Sequence, residues 1–255
     1  MTHFMPNSVK IALAIFLFST LTLHAAEPVY FGADVDFENK YVWRGMPFNA
    51  ESVLWPDAWV SFYGITATVW GSMELTDIYE NSNNFTEVDY YFDYTRAFGP
   101  VSASLGYAIY EYPNTDFIGT SEIYAAVASD FPFVSGSLTA YLDVGEAEGM
   151  YILPSLSHAF GLSPIDPSLS VSLGYGSAKH NLYYFGVDKS ALVDLTTFLK
   201  LTFTPVGPLS NYVSAYGHLS WAKILDSELA DMWEDDSNFW FGIGLNFFHQ
   251  AGGGE

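Results

Sequence analysis

His218 and Ser220 have the residue types and the spacing of a catalytic base and a nucleophile. In a serine hydrolase the histidine takes the proton of the serine hydroxyl, so the two side chains must lie side by side. Residues i and i+2 of a β-strand point to the same face, which would meet that requirement. The sequence identifies no Asn or Glu as a third member, and a His-x-Ser pair is common by chance on a polar strand face. We therefore predict no enzymatic activity, with hydrolysis as an alternative.

Charged residues at alternate positions form a second arrangement that could act on a ligand. If the first strand runs on regularly, one of its faces carries Asp34, Asp36, Glu38, Lys40 and Arg44. The polar faces of later segments carry Glu87, Asp89, Asp93, Glu122, Asp143, Asp194 and the base Lys200. Around a narrow pore, carboxylates favour cations over anions. The sequence therefore predicts a charged constriction.

Two alternatives to an open constriction remain. Arg44, which is followed by Gly45, could close the end of its strand and bind loop carbonyl groups or carboxylates. The acidic side chains could also pair with the few bases and with water, so that side chains fill the interior. An Arg–carboxylate pair would fix the strand register as well, so a structural and a functional role are compatible.

Two further groups of residues have types that could bind a ligand. An acidic segment carries Glu228, Asp231, Glu234, Asp235 and Asp236, and hard divalent cations bind several oxygen ligands. The spacing does not match an EF-hand, so we favour a solvated loop and predict no metal. Aromatic side chains that could stack on sugars are Tyr41, Trp43, Trp55, Trp59, Tyr183 and Tyr184. We favour a belt at a membrane interface for this group.

The composition restricts the class of protein. The chain has 255 residues, of which 50% are apolar and only 15% are charged. With 8 Lys+Arg against 29 Asp+Glu, the net charge of −21 repels nucleic acids, and we predict no nucleic-acid partner. There is no cysteine, so disulfide bonds and thiolate metal sites are excluded. No phosphate-binding, dinucleotide-binding or zinc motif occurs, and we predict no cofactor.

Nearly the whole chain alternates between apolar and polar or small residues, which is the pattern of β-strands with one apolar face. About twelve such segments occur, near residues 29–38, 55–63, 65–75, 86–96, 100–110, 120–130, 134–145, 150–160, 168–177, 191–204, 211–222 and 238–248. Many have the length of about 9–11 residues that a tilted strand needs to cross a bilayer. The connections alternate between short turns and longer, polar loops, as in outer-membrane barrels.

The two ends of the chain fit the same class. Residues 1–25 have the form of a cleaved signal peptide, with Lys10 before an apolar run and the small residues Ala25 and Ala26 after it. Residues 26–248 would form the barrel, and residues 249–255 a short polar tail. The alternating aromatic residues of segment 240–248 resemble the C-terminal signal that barrel-insertion machinery recognises.

We predict an all-β fold, a transmembrane antiparallel β-barrel of about twelve strands that follows the signal peptide. It would lie in the outer membrane of a Gram-negative bacterium, with the membrane lipids and the insertion machinery as partners. A soluble β-sandwich would also alternate. However, the polar face is rich in Ser, Thr and Gly rather than Lys and Glu, which suits the interior of a closed barrel.

Four short motifs resemble the start of TorF-type and related porins: Asp36 to Gly45, Trp55-Pro56, Tyr63-Gly64 and Trp70-Gly-Ser72. The resemblance implies an outer-membrane barrel with a passive transport role, and it brings no catalytic residues. We therefore predict a porin-like passive channel for small solutes or ions, with a weak preference for cations. The alternatives are a non-conducting structural or adhesive surface barrel and a barrel lipid hydrolase that uses His218 and Ser220.

Overall fold

The computed structural model describes residues 28–77 and 80–251, most of which form β-strands. The strands are β1 (Val29–Glu38), β2 (Tyr41–Trp43), β3 (Met46–Asn49), β4 (Val53–Phe62), β5 (Ile65–Glu74), β6 (Phe85–Phe98), β7 (Val101–Glu111), β8 (Thr120–Phe131), β9 (Val134–Asp143), β10 (Met150–Ala159), β11 (Ile165–Gly176), β12 (Ala191–Phe203), β13 (Val213–Ile224) and β14 (Ser237–Ala251). Twelve of them close into one antiparallel barrel, while β2 and β3 form a separate hairpin. The barrel closes where β1 pairs with β14. The predicted all-β barrel is therefore confirmed.

The outer face of the barrel is apolar because alternate residues of each strand point outward. Leu105, Leu219 and Phe239 are 50%, 64% and 74% exposed. Residues next to them in the sequence, such as Gly106 and Ser220, are buried. Soluble monomers rarely expose large continuous apolar surfaces, whereas an outer-membrane barrel carries an apolar band toward lipid. The outer face therefore suits contact with hydrocarbon.

The connections differ at the two ends of the barrel. One end, the short-turn end, has tight turns such as Tyr63–Gly64, whose φ angles of 52° and 79° suit a two-residue hairpin turn. The other end, the long-loop end, carries the connections 39–52, 75–84, 112–119, 144–149, 177–190 and 225–236. These contain the hairpin β2–β3 and two helices, α1 (Ala178–Phe185) and α2 (Ser227–Ala230). No helix in the described ranges is long and apolar enough to span a membrane.

The hairpin β2–β3 and both helices lie in segments that the sequence predicts as loops, and the C-terminal strand is longer than expected. Helix α1 lies in a predicted loop, capped by the Ser177 side chain at its start and by Gly186 (φ 73°) at its end. Eight residues are too short for a clear helical period, although both caps are readable in the sequence. β14 runs to Ala251, so residues 249–251 pair with β1 and do not belong to a tail. Residues 252–255 and the predicted signal peptide at 1–25 lie outside the described residues.

A hydrophobic core lies inside the long-loop end of the barrel. Met46 from the hairpin, Phe185 from α1 and Leu229 from α2 pack together with the barrel residues Tyr151 and Val193. Burial of a large apolar side chain contributes roughly 1.5–3 kcal/mol. This packing therefore holds the hairpin and both helices in one end of the barrel.

Candidate functional site

The hairpin β2–β3 folds into the interior of the barrel from the long-loop end. At its base, Tyr41 packs on Trp55 of β4, with 5.1 Å between ring centroids. At its tip, the Arg44 guanidinium lies 4.2 Å from the ring centroid of Tyr151 on β10. β4 and β10 are on opposite sides of the barrel. The hairpin therefore crosses the interior and narrows any path through it.

Arg44 and Lys40 do not continue the charged row of the first strand, because β1 ends at Glu38. The chain bends there, and Lys40 Nζ donates a hydrogen bond to Oδ1 of Asn238 at 2.9 Å. Arg44 and Gly45 form the hairpin turn, with φ angles of 48° and 82°. The prediction that Lys40 and Arg44 lie on the same strand face as the preceding acidic residues is wrong. Alternate residues share a face only while the strand continues, and β1 ends before both bases.

A buried carboxylate and several aromatic rings hold Arg44. Its Nη2 donates to both carboxylate oxygens of Glu122 on β8, at 2.8 and 3.0 Å, and the two side chains are 6% and 2% exposed. Tyr110 donates a further hydrogen bond to Glu122 at 2.8 Å. The guanidinium also lies 4.1 Å from the ring centroid of Trp43. Removing one partner of a buried ion pair costs about 3–5 kcal/mol. The pair of Arg44 and Glu122, called the latch below, therefore holds the hairpin against β8.

Helix α1 packs next to the latch and contributes an uncharged histidine, His180. His180 stacks on Tyr151 at 5.2 Å between ring centroids, and its Nδ1 lies 2.9 Å from Oδ1 of Asn181. Burial lowers the pKa of His180, and the nearby Arg44 charge lowers it further, to about 3. The ring is therefore neutral at pH 7 and does not repel Arg44.

One group of the predicted charged residues lines the middle of the interior. Asp34 and Asp36 lie on β1, and Asp34 stands opposite Asp57 of β4. Lys200 of β12 places its ammonium 3.8 Å from the ring centroid of Tyr216. The sequence-based set lacks Asp57, although its alternation with Trp55 and Trp59 was a usable signal. The structure thus brings carboxylates from two neighbouring strands together.

A second group lies along β6, toward the hairpin. Glu87 and Asp89 are buried there, and the Tyr91 hydroxyl donates to Oδ2 of Asp89 at 2.7 Å. Asp93 follows on the same face and accepts a hydrogen bond from the Thr95 hydroxyl at 3.4 Å. The acidic residues of the predicted constriction are therefore spread along the interior and do not form one ring.

Glu38 joins the His-x-Ser pair in a hydrogen-bonded chain. Nδ1 of His218 lies 2.7 Å from Oγ of Ser220, and Nε2 lies 2.8 Å from Oε1 of Glu38. The sequence alone does not identify this third residue, because only closure of the barrel brings β1 near β13. Ser220 is 3% exposed, and β13 pairs with a strand on each side. A nucleophile needs access to its substrate, and its site needs free hydrogen-bond donors for an oxyanion. We therefore interpret Glu38, His218 and Ser220 as a structural brace, a set of hydrogen bonds that ties β1 to β13 across β14.

Replacing Glu38 by leucine should lower the folding stability by about 1–3 kcal/mol, because a buried nitrogen of His218 would lose its partner. Ser220→Ala should cost less, since His218 keeps Glu38. The temperature at which the fast-migrating folded band disappears from gels measures both effects. A lipid-hydrolysis assay distinguishes a brace from an active site: hydrolysis by the wild type that Ser220→Ala abolishes would contradict the brace.

Most aromatic residues assigned to a membrane-interface belt lie inside the barrel. Tyr41 and Trp43 belong to the hairpin, and Trp55 packs on Trp70 at 5.5 Å between ring centroids. Trp59 shares the inward parity of Trp55 and lines a cavity at the short-turn end. The belt interpretation is therefore wrong for these four members, because the inner face of β4 and the hairpin carry aromatic as well as polar residues.

The acidic segment at 228–236 makes ion pairs with lysines. Lys189 lies 2.6 Å from a carboxylate oxygen of Glu228 and 2.9 Å from one of Asp226, and its hydrogen bond lowers the pKa of Asp226. Asp236 lies 3.5 Å from Lys223. Within residues 28–77 and 80–251, no three Asp, Glu, His or Cys side chains converge as metal ligands would.

Cavities follow the interior from the short-turn end to the hairpin. Two larger cavities, of about 560 and 840 Å³, lie at the short-turn end. Two smaller cavities, of about 270 and 410 Å³, lie beside the hairpin, and Trp43, Tyr91 and Trp240 line both. The cavities at the short-turn end are therefore larger than the two beside the hairpin.

Solved porin structures share this fold. A KdgM porin aligns with a TM-score of 0.52 at 8% sequence identity, over 86% of this chain and 98% of that chain. A KdgM porin in complex with disordered oligogalacturonate gives 0.54 at 10% identity, over 86% and 98%. A NanC porin gives 0.54 at 12% identity, over 84% and 98%. No protein-family model and no curated protein sequence matches the chain.

The chain therefore has the fold of the outer-membrane porins. The described barrel corresponds to nearly the whole length of the KdgM and NanC structures, so the predicted porin-type β-barrel is confirmed as a fold. Sequence identities of 8–12% establish the fold alone. Membership of the TorF-type porins in particular stays a prediction.

Proposed function

We propose that this chain is a channel in the outer membrane for the passive passage of small solutes or ions. The observation that carries the proposal is a closed barrel, apolar outside, whose interior holds carboxylates and a series of cavities. Interior ion pairs would also stabilise a purely structural or adhesive barrel, but one carboxylate oxygen of each of Asp36, Asp57 and Asp89 has no hydrogen-bond partner among the described residues and would only cost such a barrel stability. Because the hairpin narrows the path, we expect a small conductance in the wild type.

The interior charge supports a preference for cations. Among the described residues, Asp36, Asp57 and Asp89 each have a buried carboxylate oxygen without a hydrogen-bond partner. Arg44 cannot offset these charges, since its own charge is bound to Glu122. Carboxylates along a narrow path lower the energy of cations and raise that of anions. We therefore propose weak cation selectivity.

The permeating species proposed here differs from the ligand of one structural neighbour. The KdgM structure was determined with oligogalacturonate, which is a polyanion. A carboxylate-rich interior, in a chain with a net charge of −21, would repel a polyanion. Small cations and neutral solutes fit this interior better.

We further propose that the protein lies among the lipids of a Gram-negative outer membrane, after insertion by the barrel-assembly machinery. The sequence of β14 supports both parts of this proposal. Its residues Phe239, Phe241 and Ile243 point outward at alternate positions along the strand that closes the barrel. An apolar outer face of this kind is the feature that outer-membrane barrels present to lipid.

Replacing Asp34, Asp36 and Asp89 together by asparagine should move the reversal potential toward zero without closing the pore. The wild type should pass K⁺ in preference to Cl⁻, because these carboxylates face the interior. The preference should weaken between about 0.1 M and 1 M salt, since the Debye length falls from about 10 Å to about 3 Å. Planar-bilayer recordings under a KCl gradient measure the effect.

A matched control removes three charges elsewhere. Asp231, Glu234 and Asp235 are exposed on the loop before β14, and their amide variants should shift the reversal potential much less. Anion selectivity in the unmodified protein would contradict the proposal, since Arg44 and Lys200 would then dominate the constriction.

A further inference from the structure

A pocket opens at the long-loop end, between the hairpin and the surrounding loops. Its volume is about 400 Å³, within the usual range of roughly 300–1,000 Å³ for small-molecule sites. Aromatic side chains form much of its wall, among them Phe48, Tyr112, Tyr184 and Trp233. These residues come from β3, from α1 and from two different loops, so the wall is assembled only when the whole end folds.

Two buried carboxylates lie in the wall of this pocket, together with Asn49 and three threonines. Glu74 ends β5, Glu87 lies on the neighbouring strand β6, and each residue is 5% exposed. Oε2 of Glu74 has no hydrogen-bond partner within the described part of the chain. None of the residues that line the pocket is Lys, Arg or His. A buried carboxylate without a donor or a counter-charge is costly, so the site lacks a group that a ligand would supply.

We propose that the pocket binds organic cations that carry N–H groups next to an apolar body, such as primary amines with an aromatic group. The faces of aromatic rings attract cations, and the carboxylates offset the positive charge. A quaternary ammonium ion would satisfy the rings but has no N–H to donate to Glu74. The two carboxylates would repel an anion, and a neutral sugar would leave their charges uncompensated.

The position of the pocket links it to transport. It lies on the long-loop side of the hairpin, so it would concentrate such cations at the mouth of the channel. This role rests on the proposed function. The binding of amines does not rest on it, because binding can be measured in detergent even if the protein does not conduct ions.

The test is a calorimetric titration of the purified full chain in detergent with phenethylamine. We expect saturable binding that weakens about tenfold or more in Glu74→Gln, because a charge-assisted hydrogen bond is lost. Phenyltrimethylammonium should bind more weakly than phenethylamine, and the neutral phenethyl alcohol and the anion phenylacetate should not bind measurably. Glu234→Gln, the same substitution at an exposed position outside the pocket, should bind as the wild type does.

A second variant guards against misfolding of the first. Trp233→Leu removes part of the aromatic wall without changing the charge, and it should also weaken binding; gel migration before and after heating checks that both variants fold. Equal affinity in the wild type and both variants would overturn the proposal, and so would equal affinity for phenethyl alcohol. Cation-selective conductance without amine binding refutes only the pocket. Amine binding without conductance supports the pocket and refutes only the channel.

Discussion

Replacing Arg44 by leucine should raise the single-channel conductance of the barrel severalfold. Arg44 forms the tip of the hairpin, and its buried partner is Glu122. The substitution leaves Glu122 buried without a counter-charge, at a cost of about 3–5 kcal/mol. Such a change shifts an equilibrium by about two to three and a half orders of magnitude, at about 1.4 kcal/mol for each tenfold step. We therefore expect the hairpin to leave its buried position and the path to widen.

A double variant distinguishes loss of the Arg44–Glu122 ion pair from misfolding of the barrel. Arg44→Leu combined with Glu122→Leu places two apolar side chains where the ion pair was, and such replacements are often neutral or stabilising. The double variant should therefore return to the low conductance of the wild type. As a control, Lys200→Met removes an interior base that lies against Tyr216 and should not release the hairpin. Unchanged conductance in Arg44→Leu would show that the pair does not hold the hairpin closed.

The second large effect concerns the outer face of the barrel. Leu105→Arg should cost about 2–4 kcal/mol of folding free energy, because Leu105 points toward lipid near the middle of β7. The adjacent Ser104 points inward, where its hydroxyl lies 2.7 Å from that of Thr95. Ser104→Arg should therefore cost much less. Urea titrations of the protein in lipid vesicles measure both values, and equal penalties would indicate that the outer face meets water.

The barrel strands could be predicted because each carries its own local signal. The expected segment 120–130 appears as Thr120–Phe131, and the inward positions of Glu87 and Asp89 follow from the alternation alone. The strand count also followed, since every turn and loop is marked by a break in the alternation. Nothing in this signal depends on contacts between distant parts of the chain.

The contacts of the candidate site could not be predicted, because they join residues far apart in the sequence. The pair of Arg44 and Glu122 spans 78 positions, and that of Glu38 and His218 spans 180. The alternation of faces also ends with the strand, which explains why Arg44 does not share the face of the acidic residues of β1, although it does lie inside the barrel against a carboxylate. A signal for the hairpin was present in the dipeptide Arg44-Gly45, because a glycine between two short aromatic segments favours a tight turn with positive φ.

The most direct test of the channel proposal is a planar-bilayer recording from the folded full chain under a KCl gradient. Heat-modifiable gel migration must first show that the wild type and Arg44→Leu are folded barrels. We predict small, cation-preferring current steps from the wild type and larger steps of the same preference from Arg44→Leu. The absence of steps from both folded proteins would contradict the proposal and indicate a barrel that does not conduct.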